Sequence, residues 1–247
     1  MAASLLVAPA RLAAGRLEVT GDDHAYLFRV RRLAVGDPVR IFDGAGREAA
    51  AVVLAVTATS ATLEVGAPEV RTAAGPRITV VQAVIKGERM DWCLEKLVEV
   101  GADAIVPCET ARTVVRLDDD RRARRGDRYQ AIAREAARQC GRADVPAIAP
   151  IAVGVGVVDR VVADVRLVAH PGAHDRPLLD AVPASATEIA ILIGPEGGLT
   201  TDEVEAAIQA GFVPVSLGPH VLRAETAGVA AVAAIRAKFA QAPPAAV

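Results

Sequence analysis

The sequence predicts an α/β protein in which a parallel sheet, covered by helices on both faces, follows a smaller domain rich in β-strands. From about residue 17 to residue 68, short apolar segments alternate with turn-forming residues, a pattern typical of short strands. Beyond residue 77, continuous aliphatic runs alternate with segments of helical periodicity, as in a sheet built from βαβ units. A chain of 247 residues with 52% apolar composition is long enough to bury the core that this requires.

The first domain is predicted to be β-rich because turn-forming residues divide it into short apolar segments. They lie at 36–38, 43–46 and 57–60. A short helix is expected over 24–30, with Asp22 and Asp23 as candidate caps. Glycine and proline in the segment 71–77 end this pattern. The first domain is therefore predicted to comprise residues 1–73 and the second residues 74–247.

The second domain opens with an aliphatic run at 78–85, followed by a helical segment from about Glu88 to Val100. Further aliphatic runs supply four candidate parallel strands, at 104–106, 165–169, 189–193 and 213–217. An alanine-rich helix is expected from Glu225 to Phe239. Helices fit between these strands and after the last, which indicates a sheet with both faces covered.

Charge is nearly balanced, since the formal net charge is −2, so any affinity for RNA must come from local clusters of arginine. The most charged segment is the run DDDRRARRGDR at 118–128. Such runs are ordinarily solvated loops, and this one is interpreted in that way.

The composition also limits which metal sites and which cellular compartment are expected. The three cysteines, Cys93, Cys108 and Cys140, lack the paired spacing of a disulfide framework or a zinc site. Pro171 and Gly172 separate His170 from His174, so a helical metal-ligand pair is not expected and no metal is predicted. With neither a basic leader nor a run of about 20 apolar residues, we expect a cytoplasmic protein without a membrane partner.

The most informative segment is ILIGPEGGLT at 191–200, an aliphatic strand that runs directly into a glycine-rich turn. Ligands of open α/β sheets lie beyond the carboxyl ends of strands, so a binding site is expected here. Thr200 and Glu203 have the spacing of a capping box, and Gly211 is placed to end the helix. The alternative is an ordinary turn between a strand and a helix.

The acidic start of that helix argues against a phosphate ligand. Asp202 and Glu203 already satisfy the positive end of the helix dipole and would repel a pyrophosphate. The turn also matches neither of the common glycine-rich phosphate-binding patterns. S-adenosylmethionine carries no phosphate and can be held by the backbone of glycine-rich turns, so it fits better. A second turn, LGPHVLRAETA at 217–227, follows the next predicted strand, and two such turns can converge on one pocket.

These two turns and four other segments resemble the RsmE family of SPOUT methyltransferases, the uridine-N3 methyltransferases of 16S ribosomal RNA. The other segments are HAYLFRVRRLAVGDPVRIFDGAG at 24–46, KGERMDWCLEKLVEVGADAIVP at 86–107, ART at 111–113 and REAARQCGRADVP at 134–146. The resemblance covers nearly the whole chain in order. It departs from the family at Cys140, where serine is common, and at His220, where a basic residue is common.

The resemblance implies an amino-terminal PUA-like β-barrel that contacts RNA and a SPOUT-type parallel sheet with a carboxyl-terminal trefoil knot. It also implies a homodimer, a 16S ribosomal RNA substrate in the small ribosomal subunit near the decoding region, and S-adenosylmethionine bound in the knot. The residues expected to bind this cofactor lie in the two glycine-rich turns and at the start of the last helix. They are Leu192, Ile193, Gly194, Glu196, Gly197, Gly198, Ser216, Leu217, Gly218, Val221, Leu222, Thr226 and Ala227.

Methylation of uridine N3 requires the removal of a weakly acidic proton and the alignment of the nitrogen with the donor methyl group. We assign Arg223 to the developing uridine anion and Glu225 to the proton, with Glu196 as the rival carboxylate. The alternative is that Glu225 only caps the last helix and pairs with Arg223.

Two groups of arginines are candidates for phosphate contact, and a solvated helix face is the alternative for the second. The first group lies in the β-rich domain and comprises Arg29, Arg31, Arg32 and Arg40. The second comprises Arg134, Arg138 and Arg142.

Three other functions stay open at this point. A catalytically silent protein that binds RNA or the ribosome and a methyltransferase of the same class that acts on another RNA position both fit these motifs. A nucleotide-dependent α/β enzyme is disfavoured by the missing phosphate patterns.

Overall fold

The computed structural model describes residues 3–71, 75–114, 116–172 and 176–240. The chain divides into two units, Met1–Ala73 with Ala137–Val145 and Ala74–Ala136 with Pro146–Val247. Residues 72–74 of the predicted boundary segment and His174 lie outside the described residues.

The first unit is built on one six-stranded sheet. Its strands are β1 (Ala3–Leu6), β2 (Gly15–Thr20), β3 (Pro38–Phe42), β4 (Arg47–Val56), β5 (Ser60–Val65) and β6 (Glu69–Val70). They are arranged in the order β1-β3-β4-β5-β2, with β6 paired to β4, and only β1 and β3 run parallel. Alternate residues of β2 and β4 are buried, so one face of the sheet supplies the aliphatic core. The predicted β-rich character of this part of the chain is confirmed.

The short helix of the first unit begins earlier than predicted. It comprises α1 (Gly21–His24) and a π-helical continuation, Ala25–Val30. The expected caps Asp22 and Asp23 lie inside its first turn, while Thr20 is the N-cap and makes no side-chain cap bond. The prediction of 24–30 was therefore wrong at its start, because Gly21 adopts a positive φ of 61° and allows the chain to turn into the helix directly after β2.

The second unit is built on a seven-stranded sheet in which every pairing is parallel. Its strands are β7 (Arg77–Ala83), β8 (Ala104–Glu109), β9 (Ala147–Ile148), β10 (Ala152–Val153), β11 (Val165–Ala169), β12 (Glu188–Ile193) and β13 (Val213–Val215). The order is β10-β8-β7-β12-β11-β13, with β9 paired to β8. The five predicted strands are all present, with ends that differ by up to three residues. Two-residue strands such as β9 and β10 are too short to produce a sequence pattern.

Helices cover this sheet on both faces, as predicted. They are α2 (Glu88–Glu99), α3 (Asp119–Cys140), α4 (Thr201–Gln209) and α5 (Ala224–Ala240). On one face the core joins strand residues such as Ile78 and Ile191 to Leu94 of α2 and Val232 of α5. On the other face, Leu192 and neighbouring strand residues pack with α4 and with the 3-10 turn Val155–Arg160. The α/β fold predicted from the alternating pattern is confirmed.

Residues 119–128 of the charge run form the first turns of α3, so this segment is not the solvated loop that its composition suggested. Arg122 explains the difference, because its guanidinium donates to the buried carboxylate of Glu109 at 3.0 Å and to the carbonyl of Leu117 at 2.6 Å. It also pairs with Asp119 one turn away. These partners, together with the buried Tyr129 on the same helix, anchor the charged segment to the sheet.

Candidate functional site

The turn that follows β12 is tight and is fixed by its own backbone. The N–H of Gly198 donates to the carbonyl of Pro195 at 2.8 Å, and Gly198 adopts a φ of +71°. A Cβ atom on Gly194 would lie 3.1 Å from the backbone nitrogen of Leu199, so the turn would have to open by a few tenths of an ångström to admit a side chain. Sequence reasoning located this turn correctly but did not reveal how closely its two ends approach.

The helix after this turn begins as the sequence predicted. Thr200 accepts a hydrogen bond from the backbone of Glu203 at 3.2 Å, and the Glu203 carboxylate accepts one from the backbone of Thr200 at 2.9 Å. The capping box is therefore present. Gly211, with a φ of +83°, follows the C-terminal end of α4, also as predicted.

The turn that follows β13 is shaped by Ser216. Its hydroxyl lies 3.1 Å from the carbonyl of Gly218 and 3.3 Å from the N–H of the same residue. The backbone of Ser216 is bonded on both sides, to Arg176 and Leu178, each at 2.9 Å. The turn is thus held at the edge of the sheet.

The two turns border two adjoining cavities of about 530 Å³ and 90 Å³. In the sheet, β11 lies between β12 and β13, so the carboxyl end of β11 separates the turns. That end contributes Ala169, His170 and Pro171 to the walls of both cavities. The Nδ1 atom of His170 accepts a hydrogen bond from the N–H of Gly172 at 3.1 Å, which leaves Nε2 as the protonated nitrogen of the neutral ring. Sequence reasoning missed His170 because the strand order is not encoded in local periodicity.

Most of the residues expected to bind a cofactor line these cavities. Ile193, Gly194, Glu196, Gly197 and Gly198 line the larger one, Ser216, Leu217 and Gly218 line the smaller one, and Val221, Leu222 and Ala227 line both. Two do not line either cavity. Leu192 is a residue of β12 whose side chain is fully buried in the core, and Thr226 lies on α5 with its N–H bonded to the carbonyl of Arg223.

Glu225 is the buried charge of the larger cavity. The residue is 8% exposed, and its Oε2 atom is buried with no hydrogen-bond partner among the described residues. The nearest cation is Arg89 of α2, whose Nε lies 3.9 Å from Glu225 Oε1. The alternative in which Glu225 pairs with Arg223 is not realised, since Arg223 is exposed and makes no side-chain ion pair among the described residues. Arg89 takes its place beside the carboxylate and was not identified from the sequence.

Glu225 acts on a buried pair of polar side chains, Cys93 and Gln82. The thiol of Cys93 lies 3.7 Å from Oε1 of the fully buried Gln82. Burial, and then the negative charge of Glu225, raise the pKa of Cys93 to about 12, so this thiol stays protonated. The carboxylate of Glu225 therefore has a protonated, neutral thiol in its surroundings and the guanidinium of Arg89 as its charged partner.

The rival carboxylate has a different environment. Glu196 is exposed, and its Oε1 atom accepts a hydrogen bond from the backbone of Lys86 at 3.2 Å. One oxygen thus ties the turn after β12 to the loop after β7. Arg112, also missed from the sequence, reaches the same turn from the loop after β8 and lines the larger cavity.

The predicted RNA-contact arginines have unequal surroundings. Arg29, Arg31 and Arg32 are exposed in the first unit, and Arg32 is the one described non-glycine residue with a positive φ, at 57°. Arg40 instead lies against Phe42, 4.9 Å from the ring centre, and donates to Glu48 at 2.7 Å.

The second group of arginines is similarly divided. Arg134 is exposed on α3. Arg138 stacks on the ring of Tyr26 at 3.8 Å from its centre. Arg142 makes a two-point contact with Asp144, at 3.2 Å and 2.5 Å. The guanidinium groups of Arg138 and Arg142 are already engaged with other side chains, so these two residues are less available to phosphate than Arg134.

Among the described residues, no helix is long and apolar enough to cross a membrane. Within the same part of the chain, no group of three or more histidine, cysteine, aspartate or glutamate side chains is placed to hold a metal ion.

Family profiles match both parts of the chain. The RNA methyltransferase domain profile matches residues 73–236, and the RNA methyltransferase PUA domain profile matches residues 19–66. Among curated proteins, ribosomal RNA small subunit methyltransferase E of Mycobacterium tuberculosis is 36% identical over 226 residues, covering 88% of this chain and 84% of the relative. The protein of the same name from Bacillus subtilis is 29% identical, covering 88% of each chain.

Solved structures show the same similarity in three dimensions. A ribosomal RNA small subunit methyltransferase E from Neisseria gonorrhoeae, bound to S-adenosylmethionine, aligns with a TM-score of 0.86 and 30% identity, covering 97% of this chain and 98% of that one. A methyltransferase from Legionella pneumophila, in complex with the same cofactor, aligns with a TM-score of 0.83 and 27% identity, covering 96% and 98%. The similarity therefore extends over both units of the chain.

Proposed function

Because this chain belongs to the ribosomal RNA small subunit methyltransferase E family, a family of SPOUT methyltransferases with a PUA domain, we propose that it uses S-adenosylmethionine to methylate N3 of one uridine in 16S ribosomal RNA. The strongest support for the proposal is the arrangement of the two glycine-rich turns around adjoining cavities. The turns at Gly194 and Gly218 border adjoining cavities that share six lining residues, and a buried carboxylate faces the larger cavity.

The residues of the two turns fit S-adenosylmethionine. The smaller cavity is bounded by the turn at 216–222 and the larger by the turn at 194–199, and neither turn carries a phosphate-binding pattern. When bound, this cofactor supplies an electrophilic methyl group on a sulfonium. We assign its binding to the turn residues that line the cavities, with His170 between them.

The charged residues of the larger cavity fit the removal of a proton from uridine. The Oε2 atom of Glu225 has no partner among the described residues, so it is available to accept the N3 proton of a bound uridine. Arg223 and Arg89 both line this cavity, and a guanidinium beside the base stabilises the charge that develops as that proton leaves. Glu196 is less suited to this role because the backbone of Lys86 already occupies one of its oxygens.

The partner and the compartment follow from the same proposal. We assign Arg29, Arg31 and Arg32 of the PUA domain, and Arg134 of α3, to contact with RNA phosphates, because these four side chains are exposed. The proposed partner is the small ribosomal subunit near its decoding region, and the proposed compartment is the cytoplasm. The homodimer and the trefoil knot, which the resemblance implies, stay predictions.

The proposal is tested with the full chain, tritiated S-adenosylmethionine, and either naked 16S ribosomal RNA or assembled small subunits. Digestion of the RNA to nucleosides, followed by mass spectrometry, identifies the product. We expect N3-methyluridine at one position, and its loss from the ribosomal RNA of cells that lack this gene. Methylation at a ribose 2′-oxygen would contradict the assignment to N3, and the absence of any transfer to either substrate would contradict the enzyme assignment.

A further inference from the structure

The loop after β8 is a tight turn that places one arginine toward the glycine-rich turn. The N–H of Thr113 donates to the carbonyl of Thr110 at 3.1 Å, and the N–H of Thr110 donates to the hydroxyl of Thr113 at 2.9 Å. Both threonines are buried, so the turn is closed at its base. Arg112 projects from it and is exposed.

This loop is also fastened to the start of α4. The N–H of Ala111 donates to Oε1 of Glu203 at 2.6 Å, while Oε2 of the same carboxylate accepts the capping bond from Thr200. Glu203 is only 8% exposed, so both of its oxygens are bonded in a sheltered position. One buried carboxylate thus joins the loop after β8 to the helix that follows the glycine-rich turn.

The side chain of Arg112 is also hydrogen-bonded to the glycine-rich turn itself. Its Nη1 atom donates to the carbonyl of Gly197 at 3.0 Å and to that of Leu199 at 3.3 Å. The turn and this arginine approach each other closely, because a Cβ atom on Gly197 would lie 3.2 Å from Cβ of Arg112. In the sheet, β7 lies between β8 and β12, so the contact reaches across the end of one strand.

We propose that Arg112 is a positioning residue that holds the turn 194–199 in its cofactor-binding shape before any ligand arrives. Charge-assisted hydrogen bonds to two carbonyls orient the peptide groups of the turn, and a preorganised turn loses less conformational freedom on binding. This inference rests on the proposed function for the identity of the ligand, but the ordering of the turn is a property of the chain alone.

The test compares the full-length wild type with Arg112→Ala and with Arg116→Ala as the matched control. Arg116 is also exposed and also donates to a backbone carbonyl, that of Ala111 at 2.7 Å, but it makes no contact with the glycine-rich turn among the described residues. Hydrogen exchange of the peptide that covers 194–199 is measured without ligand. The dissociation constant of S-adenosylmethionine is measured by calorimetry, and kcat is measured at saturating cofactor.

We expect Arg112→Ala to accelerate exchange in 194–199 and to raise the dissociation constant by about 10- to 100-fold, the value of one hydrogen bond to a charged group. The kcat at saturation should stay near that of wild type, and Arg116→Ala should change neither exchange nor affinity. Arg112→Lys, which keeps the charge but lacks the guanidinium that donates to the carbonyls of Gly197 and Leu199, should reproduce the effect in weaker form and serves if Arg112→Ala fails to fold.

Unchanged exchange and unchanged affinity in Arg112→Ala would overturn the inference, as would a loss of kcat at unchanged affinity, which would place Arg112 on the RNA substrate. If the wild type itself does not bind S-adenosylmethionine, the proposed function fails, and the exchange measurement alone then decides the role of Arg112.

Discussion

Replacement of Glu225 by glutamine separates a catalytic role of this residue from a structural one. The side chain keeps its size, but it can no longer accept a proton. Among the described residues, its one ion pair is with Arg89, whose Nε lies 3.9 Å from Glu225 Oε1. Two unit charges about 4 Å apart interact by about 4 kcal/mol near a protein surface and by about 1 kcal/mol in water. The Arg89 side chain is 55% exposed, so the lower value applies.

The loss of that pair is offset because a neutral amide is easier to bury than a carboxylate. We therefore expect Glu225→Gln to change the free energy of unfolding by less than about 1 kcal/mol. Methyl transfer should fall by about 10²- to 10⁴-fold, the usual contribution of a general base, which corresponds to about 3 to 5 kcal/mol of activation free energy. Affinity for S-adenosylmethionine should be nearly unchanged.

The assay is single-turnover methyl transfer to ribosomal RNA, with the melting temperature and the cofactor dissociation constant measured on the same preparations. Glu196→Gln is the matched control, because its amide oxygen can still accept the hydrogen bond from Lys86. Its rate should stay within about threefold of wild type. Turnover by Glu225→Gln at a similar rate would refute the reasoning and assign the proton to another acceptor. A parallel fall in melting temperature and in rate would assign Glu225 to structure.

Three further predictions concern the turns, the arginines and the acid stability of the first unit. Gly194→Ala should weaken cofactor binding, because the new Cβ would lie 3.1 Å from the backbone nitrogen of Leu199 and the turn would have to shift to admit it. Gly126→Ala on α3, where nothing lies within 4 Å of the new Cβ, should instead raise the free energy of unfolding by about 0.5–1 kcal/mol, as denaturant titration will show. Arg31→Ala combined with Arg32→Ala should weaken RNA binding and reduce the slope of log affinity against log salt by about two, and an unchanged slope would remove these residues from the RNA interface. Burial alone would raise the pKa of Asp43, but hydrogen bonds from the backbone of Arg47 and Ala45 and from the Arg47 side chain outweigh it, so the pKa lies below the ordinary 3.8. The contribution of Asp43 to stability is therefore complete above pH 3.8 and is lost as the pH falls through the lowered pKa. Asp43→Asn should therefore destabilise the chain at neutral pH and flatten the acid limb of its stability curve, and an unaltered acid limb would contradict this.

The sequence predicted the parts of the site that depend on neighbouring residues. The aliphatic run at 189–193, the glycine-rich turn and the Thr200–Glu203 capping box all depend on spacing within about ten residues. The final helix was likewise predicted to within a residue at each end. Local patterns of this kind arise from backbone geometry and end capping, which the sequence displays directly.

The parts that escaped prediction depend on the order of strands in the sheet. His170 lies between the two turns only because β11 is inserted between β12 and β13. Arg89 reaches the cavity from α2 and Arg112 from the loop after β8, and each lies more than 80 residues before its partner, Glu225 or Gly197. No periodicity encodes which strands become neighbours, so these side chains appear in the sequence only as ordinary arginines and a histidine.

The charge run 118–128 was predicted wrongly for a different reason. The prediction used local composition, whereas tertiary contacts determine the structure of this segment. Its composition favours a loop, but Glu109 and Leu117 supply buried and backbone acceptors for Arg122. The pairing at i and i+3 with Asp119 adds to them, and a helix results. Composition reports the average behaviour of such segments and not the partners that a particular sheet offers.

A crystal structure of the full chain grown with S-adenosylmethionine tests the central claim most directly. We predict that one cofactor molecule spans the adjoining cavities, with contacts to the turn at 194–198 and to the turn at 216–222, and with the donor methyl group facing the side of Glu225. A cofactor bound elsewhere on the chain, or two turns whose cavities stay empty at saturating cofactor, would contradict the account.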